Sequence, residues 1–359
     1  MLISIYPLHW CNRQVEGKIY KPKIRKSFMV YIYKKIVGGK PYYYLRASER
    51  KGKKVLSKDI AYLGNSIDEV RKSLERKEHK DRIRKAYRTI HNFIESNHWL
   101  EKAKELKLKR DSYLGEKLEE IEACKLHYNH VFKKLDETTK KEILKNFVIE
   151  FAFNTTSIEG NTINLEQARS LLNEGLTPEN KTLREIYDLQ NSEKVFFQLI
   201  NLNEEINHEF IIKVHDSLLE NIDARKGYRT TDVRVIRSNF DATPAPYVKT
   251  DMGLLLKWYK GNKDKLHPLT LATIFHHKFE KIHPFMDGNG RTGRMLLNYI
   301  LLKNNYPALI IHKKTRSDYL SVLRQADKSD LTKSLKEDYF QLAQFNAQEM
   351  TDTYWSIFL

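Results

Sequence analysis

Residues 282–294, IHPFMDGNGRTGR, constrain this chain more than any other stretch. They separate two apolar helical patterns, LTLATIFHHKFEKI before and RMLLNYILLKN after. Pro284 forces the first helix to end, because its ring disfavours the α conformation at the residue before it. The spacing predicts that the second helix begins near Gly290. Gly288, Gly290 and Gly293 let the backbone approach a ligand closely and aim successive N–H groups at one place. That place is a helix N-terminus, where unpaired donors and the positive dipole end favour an anion.

The side chains in this stretch extend the argument. Arg291 and Arg294 supply guanidinium forks suited to phosphate. Asp287 can hold Mg²⁺ through one carboxylate beside phosphates. His283, four residues earlier, accepts a proton near neutral pH. A base, a metal ligand, an anion cradle and two arginines within twelve residues point to phosphoryl or nucleotidyl transfer. Other readings fail on spacing. The glycines match G-x-G-x-x-G, but a helix and a proline precede them where a dinucleotide site needs a strand, and position 313 is Lys rather than an acid. A calcium loop would not place Arg291 at a ligand position and would close on a Glu. His276 and His277 lack zinc-site spacing and read as packing or surface residues of the first helix. A plain helix–helix turn does not account for two arginines and an aspartate converging.

His283-Pro284-Phe285-Met286-Asp287-Gly288-Asn289-Gly290-Arg291-Thr292-Gly293-Arg294 resembles the complete signature of the Fic (filamentation induced by cAMP) domain family, H-x-F-x-[DE]-G-N-G-R-x-x-R. The resemblance covers roughly residues 140–345 and includes GYRTTDVRV before a β-hairpin flap. It implies a protein adenylyltransferase that moves AMP from ATP to a Ser, Thr or Tyr hydroxyl of a target protein or of itself. Phosphotransferase relatives carry a lysine in place of the second glycine, so Gly290 implies nucleotidyl transfer. By resemblance His283 is the catalytic base and Asp287 the Mg²⁺ ligand. Backbone groups of Gly288, Asn289 and Gly290 stabilise developing charge, while Arg291 and Arg294 grip the distal phosphates. Val235, Ile236, Arg237 and Ser238 would dock the target as an added strand. Tyr319 would line the adenine pocket, with Leu320 and Asp327 where relatives often have a second tyrosine and an asparagine.

A second stretch, Thr155-Thr156-Ser157-Ile158-Glu159-Gly160, is similar to the family's inhibitory motif, [ST]-x-x-x-E-[GN]. The resemblance implies that Glu159, ending an inhibitory helix over 141–160, pairs with Arg294 and obstructs the γ-phosphate. The same pocket run in reverse would be a hydrolase that removes AMP from a modified protein. Relatives of this kind often dimerise.

The expected fold is mainly α. A Fic-type helical core with a flap follows a small basic β-containing module and a helical linker. Aromatic and β-branched runs in KSFMVYIYKKIV, PYYYLRAS and VLSKDIAYLG assign residues 1–65 to a β-rich module. Helical spacing without prolines assigns 66–139 to a charged linker, and the more apolar helices after it assign 140–359 to the catalytic domain. Helices are predicted near 141–160, 164–175, 181–203, 207–221, 250–262, 267–282, 290–304, 316–326 and 332–356. Asn164 and Gly175 cap the second of these.

Charge divides the chain as well. Residues 1–100 hold 24 Lys/Arg against 9 Asp/Glu, and the remaining residues are nearly neutral although the whole carries +17. This asymmetry makes nucleic acid a candidate partner for residues 1–100, alongside an acidic protein surface. The chain would then be a nucleic-acid-binding regulator with a Fic core. Cys11 and Cys124 alone exclude a disulfide scaffold and a four-cysteine zinc site. No apolar run is long enough to span a membrane, and MLISIYPLHW lacks a basic signal region, so a cytoplasmic protein without membrane contact is expected.

Overall fold

The computed structural model describes residues 28–51, 54–76, 83–233 and 242–359. Cys11 and the flap residues Val235, Ile236, Arg237 and Ser238 lie outside them. The chain forms two compact units, Met1–Ile90 and His91–Leu359.

In the first unit β1 (Phe28–Val37), β2 (Lys40–Lys51) and β3 (Lys54–Gly64) make an antiparallel sheet in sequence order. Gly38 and Gly39, with φ of 58° and 76°, supply the two left-handed residues that a tight hairpin turn needs. The register sets Ile32 against Leu45 and Tyr33 against Tyr44, so alternation along each strand separates two faces. Val30, Ile32, Leu45 and Ala47 are buried on one face, and α1 (Ile67–Leu74) adds buried Ile67 and Val70 to this unit. The other face presents Tyr31, Tyr33, Tyr42, Tyr44 and Tyr62. On it Arg46 lies 3.6 Å over the Tyr33 ring and pairs with Asp59 at 2.6 Å.

After α2 (Tyr87–Lys104), the second unit comprises α3 (Lys117–His130), α4 (Glu137–Ile158), α5 (Leu165–Glu174), α6 (Leu183–Asn201) and α7 (His208–Leu218). α8 (Val248–Asn262), α9 (Pro268–Ile282), α10 (Asn289–Lys303), α11 (Arg316–Ala326) and α12 (Lys336–Ile357) complete it. Side chains fix the ends. Asn164 caps α5 in a reciprocal capping box with Gln167, and Gly175 closes it at φ 73°. Asp136 accepts from Thr139 N and starts α4 one turn ahead of the expected residue 141.

Every residue of α9 from Leu269 to Phe279 is buried, as is nearly all of α10, so this hairpin is the centre of the unit. The other helices surround it and hold the 283–288 loop at one end. The compact helical unit begins at His91 rather than at 140. Leu114, Leu118, Ile121, Cys124, Tyr128 and Phe132, inside the stretch read as a linker, share the apolar core with α9 and α10. Tyr128 and Phe132 meet the Phe358 ring at the end of α12. A narrow apolar stripe on α3 is diluted by charged neighbours in sequence, but Ile121, Cys124 and Tyr128 fall together at helical spacing.

Candidate active site

α9 ends on His283, whose left-handed backbone (φ 53°, ψ 60°) turns the chain out of the helix while its N–H still reaches Phe279 O. Such a conformation needs outside support in a residue other than glycine. The buried Arg229 supplies it. Its Nε donates to His283 O at 2.8 Å, its backbone N–H to Pro284 O at 2.9 Å, and its Nη atoms to carbonyls of Thr231 and Thr243. Asn289 then closes the loop on itself, accepting from Phe285 N at 2.9 Å and donating to Phe285 O at 2.8 Å. His215 stacks on Phe285 at 3.6 Å, and its Nε2 stands 3.1 Å from Asp287 O. Gly288 is left-handed at φ 74°, and a Cβ there would come within 2.5 Å of Leu219 Cδ2.

Histidine 283 is half-buried, and burial lowers its pKa from the ordinary value despite the Glu280 carbonyl and Glu159, which raise it. Its Nδ1 lies 3.3 Å from Glu280 O, so the proton sits on Nδ1 and the Nε2 lone pair is free to accept another.

At the first turn of α10 the backbone N–H groups of 289–291 have no acceptor within the helix. Glu159, the C-cap of α4, brings a carboxylate there. Its Oε1 accepts from Arg294 Nη2 at 2.6 Å and lies 2.1 Å from where a Cβ on residue 290 would stand. Only glycine at 290 admits this approach. Arg294 is buried and held by Thr155 as well, through Nε to Oγ1 at 2.8 Å and Nη2 to the carbonyl at 3.0 Å. Burial pushes the Glu159 carboxyl up, but Arg294, helped by Arg291, outweighs it and holds it below the usual range. Arg294 moves the complementary way: burial would lower it and Glu159 raises it.

The opposite side of the loop faces α6. Arg184 Nη2 donates to Asp287 Oδ2, and Arg291 Nη1 donates to Asp188 Oδ1. Burial would raise the Asp287 carboxyl, but Arg291 and Arg184 together lower it. Burial raises Asp188 in spite of Arg291 beside it. Asp287 lies on the wall of a cleft of about 350 Å³ that also includes Met286, Arg225, Tyr228 and Thr231. Among the described residues no group of three His, Cys, Asp or Glu is placed to hold a metal ion. A lone ionised carboxylate at a phosphate cradle suits a cation that keeps water and phosphate ligands, the habit of Mg²⁺.

The fold thus brings His283, Asp287, Gly288, Asn289, Gly290, Arg291, Arg294 and Glu159 to one place. Tyr319 stands behind them in the core: it is buried and interacts with the Arg294 side chain, its hydroxyl lies 2.6 Å from His276 Nε2, and its ring stacks near Phe345. Its neighbour Glu280 is pushed up to about 8 by burial and by Glu159, against the pull of Arg294. His277 likewise is a core residue, between Tyr339 and Asp327. Sequence reasoning did not find Arg184, Asp188, His215, Arg229 or Glu280. Arg184 and Asp188 look in sequence like an ordinary i,i+4 surface pair on a charged helix. Arg229 stood inside the quoted GYRTTDVRV, but its carbonyl partners come from three segments.

Residues 205–301 match the model of the Fic/DOC family. "Protein adenylyltransferase fic-1" of Caenorhabditis elegans is 28% identical over 211 residues, covering 57% of this chain and 41% of that protein. "Protein adenylyltransferase Fic" of Culex quinquefasciatus is 32% identical over 202 residues, 53% of this chain and 39% of that protein. The chain thus spans about two fifths of the length of these curated relatives. Among solved structures, a Fic domain containing signaling protein from Bacteroides thetaiotaomicron superposes with a TM-score of 0.60 at 25% identity, over 65% of this chain and 94% of that one. A Fic-1 fragment from C. elegans does so at 0.58 and 25% identity, over 67% and 71%. Residues 205–301, which carry the α9–loop–α10 hairpin, thus match the Fic/DOC family, and the helical unit is similar in fold and sequence to these Fic proteins.

Proposed function

We propose that the helical unit is a protein adenylyltransferase held shut by its own Glu159. The observation that carries this reading is the Glu159 carboxylate seated on Arg294 at the start of α10, where an anion is favoured and Gly290 leaves room. The similar proteins named protein adenylyltransferases support the reaction class. In this reading ATP binds with its phosphates along the first turn of α10. His283 Nε2 takes the proton of a target hydroxyl as that oxygen attacks the α-phosphorus. The α–β phosphoanhydride bond breaks, pyrophosphate leaves with the electron pair, and AMP remains on the target oxygen. Arg291 and Arg294 hold the departing phosphates, and the N–H groups near Gly288, Asn289 and Gly290 meet the charge that develops. Mg²⁺, held by Asp287, would neutralise phosphate charge when bound. Val235 to Ser238 dock the target, and Tyr319 backs the base site from within the core. Glu159 blocks the site until it leaves Arg294, and pairing of two copies of the chain would be a means of controlling that step.

The test is incubation of the chain with α-labelled ATP and Mg²⁺, with cell proteins present. Glu159→Gly should transfer label to itself or to a target, and His283→Ala in that background should not. An unlabelled Glu159→Gly chain and unlabelled proteins would sink the reading. Hydrolytic removal of AMP predicts the reverse, loss of activity with Glu159→Gly on an AMP-modified substrate.

A second reading concerns the other unit, and its charge favours it. Residues 1–90 hold 24 Lys/Arg against 8 Asp/Glu, whereas 91–359 hold 39 against 38, so the unit boundary is also the charge boundary. With the tyrosine face of its sheet, this composition suits nucleic acid, through charge and stacking. Binding of the full chain to a single-stranded oligonucleotide across a salt series tests it. Absent or salt-independent binding would count against it.

A further inference from the structure

Arg184 and Asp188 stand one turn apart on α6 and both turn onto the loop. With Asp287 and Arg291 they form an alternating chain of charge. Arg184 bonds Asp287 Oδ2, Asp287 Oδ1 lies 3.6 Å from Arg291 Nη2, and Arg291 Nη1 bonds Asp188. Each loop side chain assigned a ligand in the transfer reading already has a partner of that ligand's sign. A cationic guanidinium sits on the carboxylate meant for a divalent cation, and a carboxylate sits on the arginine meant for phosphate.

The two rungs differ in how readily they exchange. The Arg291–Asp188 pair is enclosed, with side chains 3% and 13% exposed, and breaking it would strand a buried charge. The Arg184–Asp287 pair is open, at 58% and 32%, and such pairs are weak and screened. Arg184 is long, lies near the N-terminal end of its helix, and can swing into solvent without disturbing the core.

We propose that Arg184 is a positioning residue that occupies the place of the divalent cation on Asp287, so that it and the metal exclude one another. The inference rests on the transfer reading and adds to that site a second lock, distinct from Glu159 on Arg294. While no nucleotide is bound, Arg184 holds the Asp287 carboxylate oriented next to Arg291. When a metal–nucleotide arrives, the guanidinium must leave, and the metal concentration at which nucleotide binds is set by that competition.

The test uses the full chain with Glu159→Gly, so that Arg294 is free. Binding of a non-hydrolysable ATP analogue is measured by calorimetry across a Mg²⁺ series. Adding Arg184→Gln should lower the Mg²⁺ concentration for half-maximal binding roughly two- to fivefold, the span of a partly exposed ion pair. Arg184→Lys, which keeps a cation on Asp287, should leave the midpoint at the parent's value. If Arg184→Gln leaves the midpoint unchanged or raises it while the parent binds the analogue, the inference fails and the transfer reading stands. Weaker binding of Arg184→Gln at saturating Mg²⁺ also overturns it, because Arg184 would then be gripping phosphate. A parent that binds no analogue at any Mg²⁺ concentration overturns the inference and the reading together.

Discussion

The Oε1 atom of Glu159 occupies space that any side chain at 290 would need, so glycine there is what admits the carboxylate. Replacing Glu159 by Gly removes a charged hydrogen bond to Arg294. Hydrogen bonds of that kind contribute roughly 1.5–3 kcal/mol, so AMP transfer should rise about ten- to hundredfold in a labelled-ATP assay. The pH behaviour follows from directions already described. Glu159 is depressed below the ordinary carboxylate range, so its pair with Arg294 is intact above that range and is lost only as pH falls through the depressed value. Raising pH from 6 to 9 therefore does not release it. His283 is lowered by burial and so is neutral at pH 7, gaining charge only below about 6.5. In Glu159→Gly the transfer rate should stay level on the neutral side and drop on an acid limb below about 6.5. An acid limb centred above that point would contradict the assignment of His283. Most of the candidate site was legible in sequence, because His283 to Arg294 are consecutive and Glu159 sits in a recognisable motif. Arg184 and Asp188 were not, since a helical charge pair in sequence does not say what lies opposite.

At the scale of elements, the loop keeps its shape because α9 and α10 are buried on all sides and Arg229 ties their junction to the chain before the flap. Arg229→Ala should cost roughly 3 kcal/mol, because several buried carbonyls lose a charged donor, and thermal unfolding would register it. An unchanged melting temperature would mean the clamp bears no strain. Beneath the hairpin, Glu280 is raised to about 8, so the folded chain holds a proton that the unfolded chain releases near its ordinary value. Stability from this group is therefore fullest at acid pH and declines as pH rises from about 4.5 towards 8. Glu280→Gln, which cannot ionise, should flatten that decline in melting temperature against pH. An identical profile in the variant would remove Glu280 as its source. Helix limits were largely readable: Asn164, Gly175 and Pro284 mark stops and starts by local chemistry. α3 was not, since its contact with the end of α12 joins residues more than two hundred positions apart.

Across the whole molecule, the candidate site and the net charge belong to different units. Net charge is +16 in residues 1–90 and +1 in 91–359. If the basic unit binds nucleic acid, affinity should fall steeply between roughly 50 and 200 mM salt, by orders of magnitude where several phosphates are contacted. Self-labelling by Glu159→Gly, set in a partly enclosed pocket, should change far less over the same range. Parallel measurement on one preparation separates the two. Loss of both together would tie the basic unit to the reaction. Among the described residues no helix is long and apolar enough to cross a membrane.

Sequence by itself determined the mainly helical class, the small basic sheet, the glycine- and arginine-bearing loop and the carboxylate motif, because each is local: a period, a cap, or a run of adjacent residues. Tertiary structure alone decided that α3 belongs to the core, that Arg229 holds His283, that Tyr319 is buried beside His276, and that α6 engages Asp287 and Arg291. Those contacts join segments distant in sequence, and burial and pairing between them depend on how helices pack rather than on any spacing along the chain.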